Sequence, residues 1–260
     1  MAGEAKTSSF MLGTATVMLG PMASLFDLTP AANSIGLVKN FTMTAEPSYT
    51  DLAQGVKNQI VYSVMTGNVV KASMEVYEYT SQNLSYALGL DGSSLTAQTV
   101  QTTLSAAVAG SAGTPATSIT VTSATGLAVG DWIMIQQGTD DQVTVRQITA
   151  IATSNLTLNA GIKRAIPTAG TTISKVNMVG IGNKQDQPFL SAKVVGSLAD
   201  GTEVALLIPK LRITNGFTLG FKADSYGNLP LQFTLYDQLT TDPYYSTFQG
   251  VGQAMLATSK

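Results

Sequence analysis

No histidine and no cysteine occur among the 260 residues. That removes the commonest general base, the commonest metal ligand and the most reactive nucleophile together. A structural zinc site is excluded with them, because it is built from those two side chains. Disulfides cannot form, so stability has to come from burial and strand pairing. Charge is also scarce: Asp, Glu, Lys and Arg make up 12% of the chain, about half the usual share of roughly 25%. Ser, Thr, Asn and Gln stand in for them, and the mean hydropathy is slightly positive. Such a surface is either neutral and polar or covered by other copies, and low surface charge favours the second. The formal net charge is −2, with both signs spread along the chain. No Lys/Arg cluster offers a grip on phosphates, so tight nucleic-acid binding is not expected. A surface past which nucleic acid slides without sticking is compatible with this composition.

The run from Phe10 to Phe26 is apolar but interrupted by Gly13, Gly20 and Pro21. Glu4 and a single basic residue, Lys6, precede it, a poor match to a signal peptide. It also falls short of a membrane span. The run reads as a buried strand or packing arm, and no membrane insertion is expected.

Most of what remains has a period of two, the mark of half-buried strands. Leu211, Ile213, Phe217, Leu219 and Phe221 alternate with Arg212, Thr214, Thr218 and Lys222. Leu229, Leu231, Phe233 and Leu235 then alternate with Gln232, Thr234 and Tyr236, after turn residues around Gly227-Asn228. The two runs predict an antiparallel hairpin. Thr214, Thr218, Gln232 and Thr234 share its polar face. Earlier, Phe41, Met43 and Ala45 predict a strand that Pro47 ends. Thr50, Asp51, Leu52, Ala53, Gln54 and Gly55 would form a loop. Ile60, Tyr62 and Val64 then lead through a turn at Thr66-Gly67-Asn68 into Val70, Ala72, Met74 and Val76. A short helix follows, with Thr80 or Ser81 as N-cap, Leu84, Ala87 and Leu88 on one face and Gly89 just beyond its end. A weaker helical pattern from Pro243 to Leu256 is broken by Gly250 and Gly252.

Composition shifts at Ala106–Thr117, which is small, polar and linker-like. Ile119, Val121, Ile133, Ile135, Val143, Val145, Ile148, Ile151, Leu156, Leu158, Ile173 and Val176 follow in short runs between glycine-marked turns. This predicts a small β-barrel or sandwich at 113–177. It interrupts a discontinuous larger domain made of 1–112 and 178–260, and insertions are tolerated at loop tips.

Chemistry is hard to place on this chain. A Ser-His-Asp arrangement is unavailable. Asp140-Asp141 reads as a solvated turn, and Glu75 and Glu78 would face opposite sides of a strand. Gly180-Ile-Gly182 and Gly250-Val-Gly252 have no third glycine at dinucleotide-binding spacing. The sequons at Asn40, Asn83 and Asn155 read as chance matches. No enzyme, cofactor or metal is implied. Trp132 is a core residue of the inserted block or an anchor for a surface contact. Tyr244-Tyr245 packs at a subunit boundary or closes the core of one chain.

The runs Gly13-Thr-Ala-Thr-Val17, Leu28-Thr-Pro-Ala31, Ser34-Ile-Gly-Leu-Val-Lys-Asn40 and Glu46-Pro-Ser-Tyr49 resemble the start of tail tube proteins of long-tailed bacteriophages. The order of strands, one helix near Leu84–Leu88 and a late hairpin is similar as well. Gly126-Leu-Ala-Val-Gly130-Asp131 and Ala169-Gly170 look like part of a small β-module seen in phage structural proteins.

The resemblance implies a mainly β, tail-tube-like sandwich or barrel with one packing helix and an exterior inserted barrel. It implies stacked, commonly hexameric rings, made in the host cytoplasm and built into the virion tail, with DNA passing transiently through the lumen. Implied partners are further copies of the chain, a tape measure protein, a tail terminator and distal tail proteins. On this reading Thr214, Thr218, Gln232 and Thr234 line the lumen or face outward under a neighbouring ring. Thr50, Asp51, Leu52 and Gln54 make ring-to-ring contacts, and Thr7–Leu25 reaches a neighbouring subunit. The alternatives are another virion structural protein (a decoration protein or tail terminator) and a carbohydrate-binding, adhesin-like module.

Overall fold

A computed structural model of the chain describes residues 15–54, 58–93, 95, 98, 101–138, 142–182, 187–218, 220 and 226–258. In chain order these form β1 (Thr16–Pro21), a 3-10 turn (Met22–Asp27), α1 (Pro30–Asn33), β2 (Val38–Gln54), β3 (Gln59–Val76) and α2 (Ser81–Ala87). Next come β4 (Gln101–Thr103), β5 (Val108–Ala109), β6 (Ala116–Thr120), β7 (Trp132–Gln137), β8 (Val143–Ala152), β9 (Asn155–Ile162), β10 (Ala165–Ile166) and β11 (Thr171–Val176). The chain closes with β12 (Leu190–Ser197), β13 (Glu203–Asn215), β14 (Leu229–Leu235), α3 (Tyr245–Phe248) and β15 (Met255–Thr258). The mainly β expectation is met. Met1–Leu95 with Gly180–Lys260 forms one compact unit, and Thr96–Val179 forms another.

The first unit is a curled antiparallel sheet in the order β1-β12-β13-β14-β3-β2, with β15 added to β13. Its core face follows from strand alternation. In β14, Leu229, Leu231, Phe233 and Leu235 are buried while Gln232 is exposed. In β13 the buried set changes phase, from Leu206 and Ile208 to Leu211 and Ile213. The pairing explains the change: β12 advances from Leu190 to Ala192 while β13 advances from Leu211 to Ile208, leaving one extra residue at Pro209–Lys210. Pro209 is tolerated there because a bulge releases one ladder hydrogen bond. β1 buries Val17, Met18 and Leu19, as expected of a buried N-terminal strand.

The helix at 81–87 is the predicted one. Thr80 Oγ1 accepts from the Asn83 backbone N–H at 3.1 Å, and Gly89 takes the left-handed conformation just past the end at φ 73°. Its buried face differs from expectation, for Leu84 and Leu88 are half-buried while Asn83, Ser85 and Tyr86 are buried. Asn83 donates to Ile35 O at 2.9 Å and Glu78 O at 2.8 Å, and Tyr86 Oη donates to Leu19 O at 3.2 Å. Burial, more than the nearby Asp91 charge, raises the Tyr86 phenol to about 12, against a hydrogen bond with Gln82 that lowers it. The Pro243–Leu256 pattern yields four helical residues and then β15, since Gly250 and Gly252 adopt φ 77° and 124°.

The second unit is a six-stranded sheet in the order β4-β11-β7-β8-β9-β6. A bridge between Leu104 and Val121 joins its two ends. Thr122 N donates to Thr103 O at 2.8 Å and Ser105 N to Thr120 O at 2.9 Å, so the sheet closes into a small barrel. Ile119, Ile133, Ile135, Ile148, Leu156 and Ile173 fill it. Residues 106–117 contribute β5 and the start of β6 to this unit. Gly110 is required where it stands, because a Cβ there would lie 2.1 Å from Ile162 O.

Candidate assembly surface

The longest strands among the described residues are β2 and β3, at 17 and 18 residues. Their roots belong to the core, since Val70, Ala72, Met74 and Val76 are buried and β14 pairs with β3 from Lys71 to Val76. From Val69 to Gln59, β3 pairs only with β2 among the described residues, and β2 is the last strand of the sheet. The two strands therefore leave the sheet as a two-stranded arm whose outer edges pair with no other strand among the described residues, and Gln253 Nε2 donates to Asn68 O at 3.5 Å near its base.

Three expectations about this segment are corrected. Thr50, Asp51, Leu52 and Gln54 lie in β2, paired with Val64, Ser63, Tyr62 and Gln59, and form no loop. Thr66-Gly67-Asn68 is no turn but part of β3, where Gly67 and Asn68 pair with Ser48 and Pro47 and Thr66 is an extra residue opposite the Ser48–Tyr49 step. β-branched neighbours hold the backbone extended there. The last pair joins Gln54 to Gln59, and Asn58 beside it has φ 50°. Pro47 does not end β2, because an edge strand can forgo one N–H.

Along this arm cross-strand partners share a face. Counting alternate β2 residues from Met43 puts Tyr49 (paired with Met65) and Ala53 (paired with Ile60) on the face that continues the core side. The other face carries Leu52 with Tyr62, Thr50 with Val64 and Glu46 with Val69. These side chains stay in solvent: Tyr49 is 59% exposed, Leu52 63%, Ile60 63%, Tyr62 64% and Met65 56%. Stretches where apolar residues fall on both parities, such as Ile60-Val61-Tyr62, were the available signal in the sequence.

The polar face of the sheet root is different in kind. Thr42, Thr44, Lys71, Ser73, Thr214 and Gln232 line a shallow groove of about 470 Å³ together with Thr234. Three of the four residues expected on one face, Thr214, Gln232 and Thr234, thus come together here, beside β2 and β3. Thr218 is exposed outside any strand, and Leu219 and 221–225 lie outside the described residues. The hydroxyls bond locally: Thr42 Oγ1 meets Ser73 Oγ at 2.8 Å, and Thr214 Oγ1 donates to Gln232 O at 3.3 Å. The Lys71 ammonium lies 3.5 Å from Glu46 Oε2, so its charge is matched on the same surface.

The remaining candidates carry little chemistry. Glu75 accepts from Tyr77 Oη at 2.9 Å and Glu78 accepts from Leu37 N at 3.0 Å, so the two carboxylates serve separate structural bonds. No three acidic side chains gather among the described residues, and Asp140-Asp141 lies outside them. Trp132 is half-buried in β7, outside the barrel core. Tyr244 Oη donates to Ala23 O at 2.5 Å and its ring packs edge-on to Phe26, so it ties the C-terminal segment to the 3-10 turn of its own chain. Asn83, one of the sequons, is buried. Among the described residues no helix is long and apolar enough to cross a membrane.

No protein-family model matches the chain, and no curated protein does. Among solved structures, the Gp54 tailspike of Acinetobacter baumannii bacteriophage AP22, in complex with capsular saccharide, aligns with a TM-score of 0.28 at 17% identity. The tailspike gp61 of Pseudomonas phage phi297 aligns with a TM-score of 0.29 at 15% identity. Each alignment covers 33% of this chain and 15% of the tailspike, a likeness too slight to assign a fold or an activity.

Proposed function

We propose that this chain is a structural subunit of a bacteriophage tail, polymerising as stacked rings into a tube whose lumen conducts DNA. The observation that carries the proposal is the arm. A two-stranded ribbon of this length is marginal alone in water, and a free strand edge beside exposed apolar side chains is an aggregation hazard in a monomer. Pairing with neighbours covers its faces and uses its edges, and closing a ring leaves no edge over. The ring form, its six-fold number and the tail location come from the resemblance of the sequence to tail tube proteins. The hydroxyl-rich groove of Thr42, Thr44, Ser73, Thr214 and Gln232, where the Lys71 ammonium is paired with Glu46, suits a lumen past which DNA slides with weak, non-specific phosphate contact.

The test shortens the arm. Replacing residues 48–67 by an Asn-Gly turn joins Pro47 to Asn68, which are already cross-strand partners. The intact chain is expected to form large particles by light scattering, and the shortened chain a folded monomer. An intact chain that stays monomeric at all concentrations, or a shortened chain that still polymerises, would overturn the proposal.

A further inference from the structure

A cavity of about 670 Å³ opens in the curled sheet of the first unit, lined mainly by apolar side chains that include Val38, Phe41, Met43, Val194, Leu206 and Leu256. It lies between β2 on one side and β12, β13 and β15 on the other, past the end of the seam between β1 and β2. At one end the seam is shut: Met18 bridges to Ser34, and Ile35 N donates to Val17 O at 3.1 Å. Past Val38 it opens, because β2 departs along the arm, and among the described residues no strand pairs with its outer edge. An apolar cavity beside an unpaired strand edge needs an occupant with two properties. It must offer a free edge of its own, for backbone hydrogen bonds, and apolar side chains on one face.

The arm has both. Among the described residues no strand but β2 pairs with β3 from Gln59 to Gly67, and Met65 and Ile60 stand beside Tyr49 on the arm face that continues, through Met43, into the cavity of their own copy. We infer that each copy seats the Tyr49–Met65–Ile60 face of a neighbour's arm in this cavity, with the neighbour's β3 edge against its own β2 edge near Lys39–Met43. Cavity and arm are different patches of one surface, so the contact is heterologous, and repeating it gives a ring or a filament rather than a closed pair. The inference rests on the self-assembly reading above and names the surface that accepts the arm.

A chain without cysteine allows a clean test. Gly196 lines the cavity, and a Cβ there meets nothing nearer than Ala15 Cβ at 4.0 Å, so Gly196→Cys fits. The full chain carrying Gly196→Cys and Met65→Cys is oxidised mildly while it assembles and run without reductant. The expected result is a ladder of covalent multimers beyond the dimer, because each copy contributes one thiol of each kind. Either single variant stops at the dimer. Thr234→Cys with Met65→Cys, which puts the first thiol on the opposite sheet face, gives no ladder. Tubes or rings in the electron microscope without a ladder would overturn the seating and leave the assembly reading standing. Absence of both particles and ladder would overturn the two together. A within-chain disulfide in a Phe10→Cys, Gly196→Cys variant, read as a mobility shift of the monomer, would give the cavity to the chain's own N-terminal segment and overturn the arm as occupant.

Discussion

Asp242→Asn should destabilise the first unit by about 3 kcal/mol while leaving the second unaffected. Lys210 sits at the bulge of β13, where Ile208 to Leu211 are all buried, and is itself 3% exposed. Its ammonium lies 2.6 Å from Asp242 Oδ2 and 4.5 Å from the centre of the Phe189 ring. The carboxylate also accepts from Leu239 N at 2.7 Å, which fixes the segment leading to α3 and β15. Removing one partner of a buried pair leaves an uncompensated charge and typically costs about 3–5 kcal/mol. An amide at 242 keeps an acceptor for Leu239, so the lower end applies. Near the midpoint this lowers Tm by about 6–12 °C for a unit of this size. The double variant Lys210→Met, Asp242→Asn removes both charges and should return to within about 1 kcal/mol of the parent. The assay is urea unfolding read two ways. The single tryptophan, Trp132, lies in β7 and reports on the barrel, and tyrosine circular dichroism follows the first unit. A loss below about 0.5 kcal/mol, a shift in the Trp132 transition, or a double variant no better than the single one would refute the reasoning.

The pH dependence of the same pair has a definite sign. Burial works against the Asp242 carboxylate, but the hydrogen bonds from Lys210 and Leu239 and the Lys210 charge outweigh it and hold its pKa below the usual range. Its contribution is complete above the unfolded value of about 3.9 and is lost as pH falls through the lower native value. Asp242→Asn should therefore flatten the acid limb of the first unit's stability profile. Tyr86 works at the other end: a phenol raised to about 12 holds its proton in the folded state while the unfolded chain loses it near 10. Stability should fall between those values, and Tyr86→Phe should abolish that alkaline loss at a cost of about 1 kcal/mol at neutral pH. Gly110→Ala should destabilise the barrel and move the Trp132 transition, because its Cβ would meet backbone at Ile162 and Arg164. Tyr49→Ser with Ile60→Ser should leave monomer stability within about 0.5 kcal/mol, since both are exposed, and should abolish sedimenting particles.

The legible parts of this fold are those where local pattern and tertiary environment agree. The alternation of Leu229 to Leu235, the Thr80 cap with Gly89 beyond the helix, and the apolar set of the inserted barrel all reappear. In the arm, residue type alone gives misleading turn signals. Gly67, Asn68 and Pro47 mark turns in most contexts, yet an edge strand accommodates each, and a long pairing partner overrides them. The phase change at Pro209–Lys210 was invisible because a bulge is a property of the pair and not of either strand. The shared face of Thr214, Gln232 and Thr234 followed from period two, whereas its continuation onto Thr42, Thr44 and Ser73 required the strand order.

Self-association is the centre of the account, and electron microscopy of the purified full-length chain over a range of concentrations tests it most directly. Rings with a central opening, stacking into tubes as concentration rises, are the expected result. Monodisperse particles of single-chain size at every concentration, with the arm intact, would contradict it.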